Sequence, residues 1–148
     1  MSLEWSRNGG PFTRDNYSRD HDIRFSGGQS LLNSAAPGKY AGNPGASNPE
    51  ELLLAALSSC HMLTFLAVCA NRGYMVDRYH DDAVALLDRN ADGQMAVVKA
   101  ILAPEVSFSG AKQPSADEYA KLHERAHQAC FIANSVKTSV EVKPKPLA

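Results

Sequence analysis

The sequence predicts an α+β fold in which two helices pack on antiparallel sheet, and three observations lead there. A long apolar helical pattern spans residues 48 to 73, strand patterns with turn signals occupy residues 74 to 110, and an amphipathic helical pattern opens at Ser115 ahead of a closing strand. The 148 residues make one domain by length, with enough chain for one hydrophobic core. Its parts are a loop-rich arm (1–47), the central helix (48–73), a β-hairpin (74–110), and a second helix with the final strand (115–148).

The arm is rich in Gly, Ser, Asn, Asp and Pro, with short strand patterns at Asp22 to Phe25 and Ser30 to Leu32 around the turn Ser26-Gly27-Gly28. It holds Arg7, Arg14, Arg19 and Arg24, and 38 to 47 is a flexible approach to the helix. Both ends of that helix are written in the sequence. Asn48 is the N-cap, Pro49 takes the first helical position, and Glu51 supplies the capping-box carboxylate. Gly73 marks the stop, after Arg72 in the last turn. Leu52, Leu57, Leu63, Phe65 and Val68 fall on every side of the wheel, so the helix is expected to be buried all round, by sheet or by a partner chain. Ser58, Ser59, His61 and Thr64 interrupt the apolar run, which is then too short for a bilayer span.

Beyond Gly73 the pattern turns to β. Tyr74 to Leu87 alternates apolar with charged residues, Asn90 to Gly93 is a turn signal, and Gln94 to Phe108 continues as a long strand in which Pro104 forces a bend, bulge or edge. Ser115 with Glu118 forms a second capping box, and Tyr119, Leu122, Ala126 and Cys130 recur at helical spacing. The helix ends or bends near Cys130, and Thr138 to Val142 alternates as a strand stopped by Pro144.

Composition narrows the function. Fifteen basic residues against 16 acidic ones leave no basic field, which excludes nucleic acid as a partner. No membrane partner is expected. The N-terminus lacks a charged-then-apolar signal pattern, so a cytoplasmic location is the expectation. Cys60, Cys69 and Cys130 are too few and odd in number for a secreted disulfide scaffold and read as buried thiols, ligands or reactive groups.

Cys60 is the residue to explain. A cysteine in a buried helix can simply fill space. Its polar neighbours count against that, because each buried polar group needs a partner. A reactive thiolate gives such polarity a purpose, but it needs a nearby cation to lower its pKa, and the helix around Cys60 has none. Cys69, 900° further round the wheel, lies on the opposite face and reads as a core thiol. His123 and His127, at i and i+4, could hold a metal with Cys130 or Cys60, although no CxxC or HExxH pattern supports that.

The run NPEELLLAALSSC, with Glu50 ten residues before Cys60, together with AHQACFIANS around Cys130, resembles the OsmC/Ohr family of osmotically inducible and organic hydroperoxide resistance proteins, over nearly the whole chain. The resemblance implies antiparallel sheets wrapped around long central helices in an intertwined homodimer. It implies a cysteine-based peroxidase without metal or organic prosthetic group. Cys60 would attack an organic hydroperoxide and become a sulfenic acid, Cys130 would resolve it as a disulfide, and an external dithiol, with a lipoyl-type one as a candidate, would reduce that disulfide. It also implies a catalytic arginine and glutamate. Glu50 matches the glutamate, and RDHDIRFSGGQSLLNSAAP aligns so as to select Arg19, with Arg24 in reserve.

Arg19 would stabilise the thiolate and the leaving oxygen, with Glu50 holding its guanidinium. Each has an alternative, Arg19 as a surface cation and Glu50 as a dipole-favoured helix carboxylate. Ten helical steps separate Glu50 from Cys60 by about 15 Å, so Glu50 is expected to meet the Cys60 of another chain, in a twofold dimer. Two departures stand out. Phe131 follows Cys130 where the family usually has proline, and His61 follows Cys60 where an aromatic residue is common. The polar cluster at 58 to 64 is expected to line the peroxide pocket, with Leu57, Leu63 and Phe131 favouring alkyl or lipid hydroperoxides. The rivals are a dimeric stress or small-molecule-binding protein of the same fold with inert cysteines, and a metal-binding protein using His123, His127 and a cysteine.

Overall fold

The computed structural model describes residues 1–147, arranged as two compact units, 1–53 and 54 onward. In the first, strands β1 (Ser2–Glu4), β2 (His21–Arg24) and β3 (Ser30–Asn33) form an antiparallel sheet in that order. Ile23 is the buried residue of β2, flanked by Asp22 and Arg24 on the opposite face. The β2–β3 turn closes through Gly28, whose φ of +88° suits glycine. β1 was not anticipated from the sequence. It is short and exposed, and it is joined to β2 by backbone pairing, which leaves no side-chain period to read. The segment after β3 folds back tightly enough that a Cβ at Gly42 would fall 1.5 Å from the Ala35 carbonyl oxygen, so only glycine fits there.

Helix α1 (Pro49–Asn71) begins in the first unit and runs on into the second. Its start is the expected capping box. Asn48 Oδ1 accepts from the Glu51 N–H at 3.0 Å, and Glu51 Oε2 accepts from the Asn48 N–H at 3.2 Å. Its end is the expected glycine, Gly73 at φ +73°, with the Tyr74 N–H returning to the Cys69 carbonyl.

The chain itself covers only part of α1, and the expected cover by a partner chain lies beyond one chain. Within one chain a single stripe is covered, Leu57, His61, Phe65 and Cys69, spaced by four residues, while Leu63 remains 60% exposed. A straight helix can turn only one face to the core of its own chain, so the other apolar faces stay open. The helix is also long and apolar enough, by length and composition, to cross a bilayer, contrary to the expectation that its apolar run is too short. Its polar groups are nevertheless tied to other elements of the domain, as described below, which marks it as a core helix.

The predicted hairpin of the second unit is a long ribbon broken once. β4 (Met75–Asp81) pairs with β7 (Pro104–Ser109), and β5 (Val84–Arg89) with β6 (Met95–Leu102), all antiparallel. The single long strand expected from Gln94 to Phe108 therefore divides at Ala103, where Pro104 opens β7 and the Ala103 N–H turns to Asp81 Oδ1 at 2.7 Å. β8 (Ser139–Val142) joins β6 in parallel, the one exception to the antiparallel pairing among the named strands. Helix α2 (Ala116–Gln128) starts at the Ser115–Glu118 capping box. It buries Tyr119, Leu122 and Ala126 against Phe65, Cys69, Tyr74 and Val106. Phe65 sits at the centre of this core, stacked on His123 at 4.1 Å and edge-on to Tyr119.

Candidate active site

Cys60 stands in the middle of α1, partly exposed, and Cys130 lies two residues past the end of α2, fully buried. Both belong to the second unit. After Cys130 the chain closes into a tight turn. The Asn134 N–H returns to the Cys130 carbonyl at 3.1 Å, the Ser135 hydroxyl donates to the Phe131 carbonyl at 2.7 Å, and the Asn134 side-chain amide donates to the Gln128 carbonyl. The turn aims successive backbone N–H groups at sulfur. Those of Phe131 and Ile132 point to Cys60, and that of Ala133 reaches Cys130 Sγ at 3.4 Å.

The two thiols are close enough to influence each other's titration, and their surroundings move their pKa values in opposite directions. Burial pushes the Cys60 pKa up, but the Cys130 S–H and the N–H groups of Ile132 and Phe131 outweigh it, and the net direction is down. For Cys130, burial and the neighbouring Cys60 both push the pKa up. Cys60 is thus the thiolate-forming member and Cys130 the proton holder. Cys69 is a fully buried core thiol pushed up to about 11 by burial, as its place on the wheel implied.

Within the polar cluster of α1, His61 is buried, Ser58 and Thr64 are half-buried, and Ser59 is exposed. The Ser58 hydroxyl donates to Asp81, the Thr64 hydroxyl donates to the Cys60 carbonyl at 2.8 Å, and His61 Nε2 meets His123 Nδ1 at 3.0 Å. Burial lowers the pKa of His61 to about 4 and of His123 to about 3. Both rings are therefore neutral at pH 7, and neither supplies Cys60 with a cation. His123 engages His61 through Nδ1, while His123 Nε2 and His127 Nδ1 are buried without a hydrogen-bond partner among the described residues. Among the described residues no cluster of three or more His, Cys, Asp or Glu side chains is placed to hold a metal.

Arg19 and Glu50 both lie in the first unit and are not an ion pair within the chain. The Arg19 guanidinium donates to the carbonyls of Tyr17 (3.0 Å) and Arg14 (2.9 Å) and lies 4.3 Å from the centre of the Tyr17 ring. Glu50 Oε2 is buried and has no hydrogen-bond partner among the described residues. Arg19 lines an apolar cavity, whereas Arg24 lines a polar recess with Glu4, Arg7, Asp20 and Asp22, a different environment for the reserve candidate.

The sequence reading missed the backbone donors at 131 and 132, which carry no residue-type signature, and Asp81, one of several acids in a charged strand. It also missed His21. Its Nδ1 lies 2.9 Å from the Arg19 carbonyl and its Nε2 3.1 Å from the Asn33 amide nitrogen. A carbonyl can only accept, so Nδ1 carries the proton and His21 pins the Arg19 backbone.

A family model described as OsmC-like protein matches residues 42–145. Among solved structures, an OsmC-like protein of unknown function from Vibrio cholerae is 41% identical, with 97% of this chain and 96% of that one covered and a TM-score of 0.92. Two organic hydroperoxide resistance proteins share the fold at lower identity. That of Elizabethkingia anophelis is 21% identical, with 85% of this chain and 86% of that one covered and a TM-score of 0.68. That of Bacillus subtilis is 16% identical, with 97% and 96% covered and a TM-score of 0.68. A comparison with curated proteins gave no match. The extent of the family match, together with the Vibrio similarity over almost the full length, shows that this chain belongs to the OsmC-like protein family.

Proposed function

We propose that this protein is a thiol-dependent peroxidase that reduces organic hydroperoxides. The observation that carries the reading is the neighbouring Cys60–Cys130 pair, in which the pKa of the partly exposed thiol is lowered and that of the buried one is raised. The Cys60 thiolate attacks the terminal peroxide oxygen, the O–O bond breaks, and the alcohol leaves after taking a proton. Cys60 becomes a sulfenic acid. The Cys130 thiol then attacks that sulfur, forming the Cys60–Cys130 disulfide and releasing water. An external dithiol, of lipoyl type or another, returns both thiols and is itself oxidised to a disulfide.

Arg19 and Glu50 are assigned to stabilising the thiolate and the leaving oxygen. Two features support this: His61 beside Cys60 on α1 and His123 on α2 are neutral and supply no cation, and one oxygen of the half-buried Glu50 carboxylate is buried without a partner among the described residues. A helix rise of 1.5 Å per residue puts Glu50 about 15 Å along α1 from Cys60, so its partner thiol belongs to a second copy. A homodimer in which the open apolar faces of α1, Leu63 among them, are covered by the partner follows from the same reasoning. The hydroperoxide resistance proteins of E. anophelis and B. subtilis with this fold point the same way. A cytoplasmic setting, where thiols stay reduced between turnovers, belongs to the proposal.

The test is consumption of cumene hydroperoxide with dihydrolipoamide or dithiothreitol. Turnover should vanish in Cys60→Ser, and undiminished turnover there would falsify the assignment. One equivalent of peroxide should lower the intact mass by two hydrogens, and in Cys130→Ser should instead leave a sulfenic or sulfinic adduct. Light scattering should give a dimer mass.

A further inference from the structure

We propose that the cavity of the N-terminal unit binds an amphipathic carboxylate, its head group on Arg19 and its hydrocarbon tail along Trp5, Phe12 and Tyr17. The cavity is an open groove of about 700 Å³, within the range of small-molecule sites, and its walls include Leu3, Trp5, Phe12, Tyr17 and Pro49. The three aromatic rings form a ladder, with centroids 5.7 Å apart from Trp5 to Phe12 and 5.8 Å from Phe12 to Tyr17. Phe12 and Leu3 are 68% and 56% exposed, so apolar surface faces the opening.

One cation interrupts these apolar walls. Arg19 is half-buried, and among the described residues no carboxylate pairs with it. Its two carbonyl partners take two of its five N–H donors and do not neutralise its charge, so in the chain without a peroxidatic thiolate three donors and the positive charge are open to a ligand. A carboxylate matches that planar fork in both charge and geometry.

The site is set before any ligand arrives. The Trp5 indole N–H is held by the Ser18 carbonyl at 2.7 Å, and the Arg19 carbonyl is held by His21. Preorganisation of this kind spares a ligand the cost of ordering the loop. The nearest acid in sequence, Asp20, is engaged by the Asn43 amide at 3.0 Å and lines the separate polar recess. A neutral hydrocarbon would leave the guanidinium unmatched, and a small inorganic anion would leave the aromatic wall wet. An acyl carboxylate satisfies both.

The proposal shares Arg19 with the peroxidase reading but does not rest on it, so it is tested in the Cys60→Ser chain, which has no peroxidatic thiol. Trp5 is the single tryptophan and reports from the cavity wall. Titration with octanoate should change its emission saturably, with 1-octanol binding at least tenfold more weakly. Arg19→Gln should weaken octanoate at least tenfold while leaving 1-octanol unchanged, and Phe12→Ala should weaken both. Absence of a saturable change, or equal binding of octanoate and 1-octanol, overturns the proposal. The comparison of the two ligands stands by itself if Arg19→Gln fails to fold.

Discussion

Cys130 adjoins Cys60, and their mutual influence lowers the pKa of Cys60 while raising that of Cys130. The relationship is asymmetric because Cys60 also receives two backbone N–H groups, while Cys130 is buried. The two thiols are thereby distinguished in acidity before any oxidant arrives.

Cys130→Ala removes the S–H beside Cys60. A hydrogen bond to a charged group contributes about 1.5–3 kcal/mol, so the midpoint of Cys60 alkylation against pH should move upward. Cys130→Ser retains an O–H donor and should move it less. Iodoacetamide rates between pH 5 and 9, followed by the mass of the Cys60 peptide, make the measurement. An unchanged midpoint in Cys130→Ala would mean the contact has no part in activating Cys60.

Phe131 contributes through its backbone. Its side chain is 80% exposed, whereas its N–H points to Cys60. Phe131→Pro deletes that N–H and should raise the Cys60 midpoint, by the same physical cause as Cys130→Ala. Phe131→Ala keeps the donor and should leave the midpoint in place. Equal profiles for the two variants would remove the backbone donor from the account.

Much of this was legible in the sequence because helix caps act locally. Asn48 with Glu51, Ser115 with Glu118, and Gly73 each mark a helix end through a few adjacent residues. The break in the ribbon was less legible, since it depends on Asp81 capturing the Ala103 N–H from another strand. So was the parallel pairing of β8, because alternation reveals a strand but not its neighbour. Ser58 and His61 were expected at a pocket. Their actual partners, Asp81 and His123, are distant in sequence, and periodicity carries no information about such pairings. Cys60 and Cys130 were named from their motifs, but the N–H groups that tune them belong to a turn whose geometry no residue type announces.

Phe65 tests the core of the second unit. It is fully buried and touches the rings of Tyr79, Phe108, Tyr119 and His123. Phe65→Ala should cost about 3–5 kcal/mol through lost burial and a residual cavity. Urea denaturation at constant m-value should show it, and a loss below 1 kcal/mol would mean that the aromatic cluster does not hold α1 to α2.

The His61–His123 pair should make stability fall steeply in acid. Both pKa values are depressed by burial, to about 4 and about 3, from an ordinary 6.5 in the unfolded chain. The charged groups nearest His61 in this balance are His127, which disfavours its protonation, and Asp81, which favours it. Between pH 6.5 and about 4 the unfolded chain therefore binds more protons than the native one, and unfolding stability rises with pH across that window. The contribution is fully present above pH 6.5 and is lost as pH falls toward the native values, amounting to several kcal/mol for the pair. Nor can the native pair accept a second proton cheaply, because two imidazolium rings joined at 3.0 Å would share no acceptor. Unfolding free energy measured from pH 7.5 to 4 should show this slope, and the double variant His61→Leu, His123→Leu should flatten it. An unchanged slope in that variant would place the acid sensitivity elsewhere, on carboxylates such as Glu118 and Glu141, whose pKa values are held down by their hydrogen bonds to Ser115 and to Lys99.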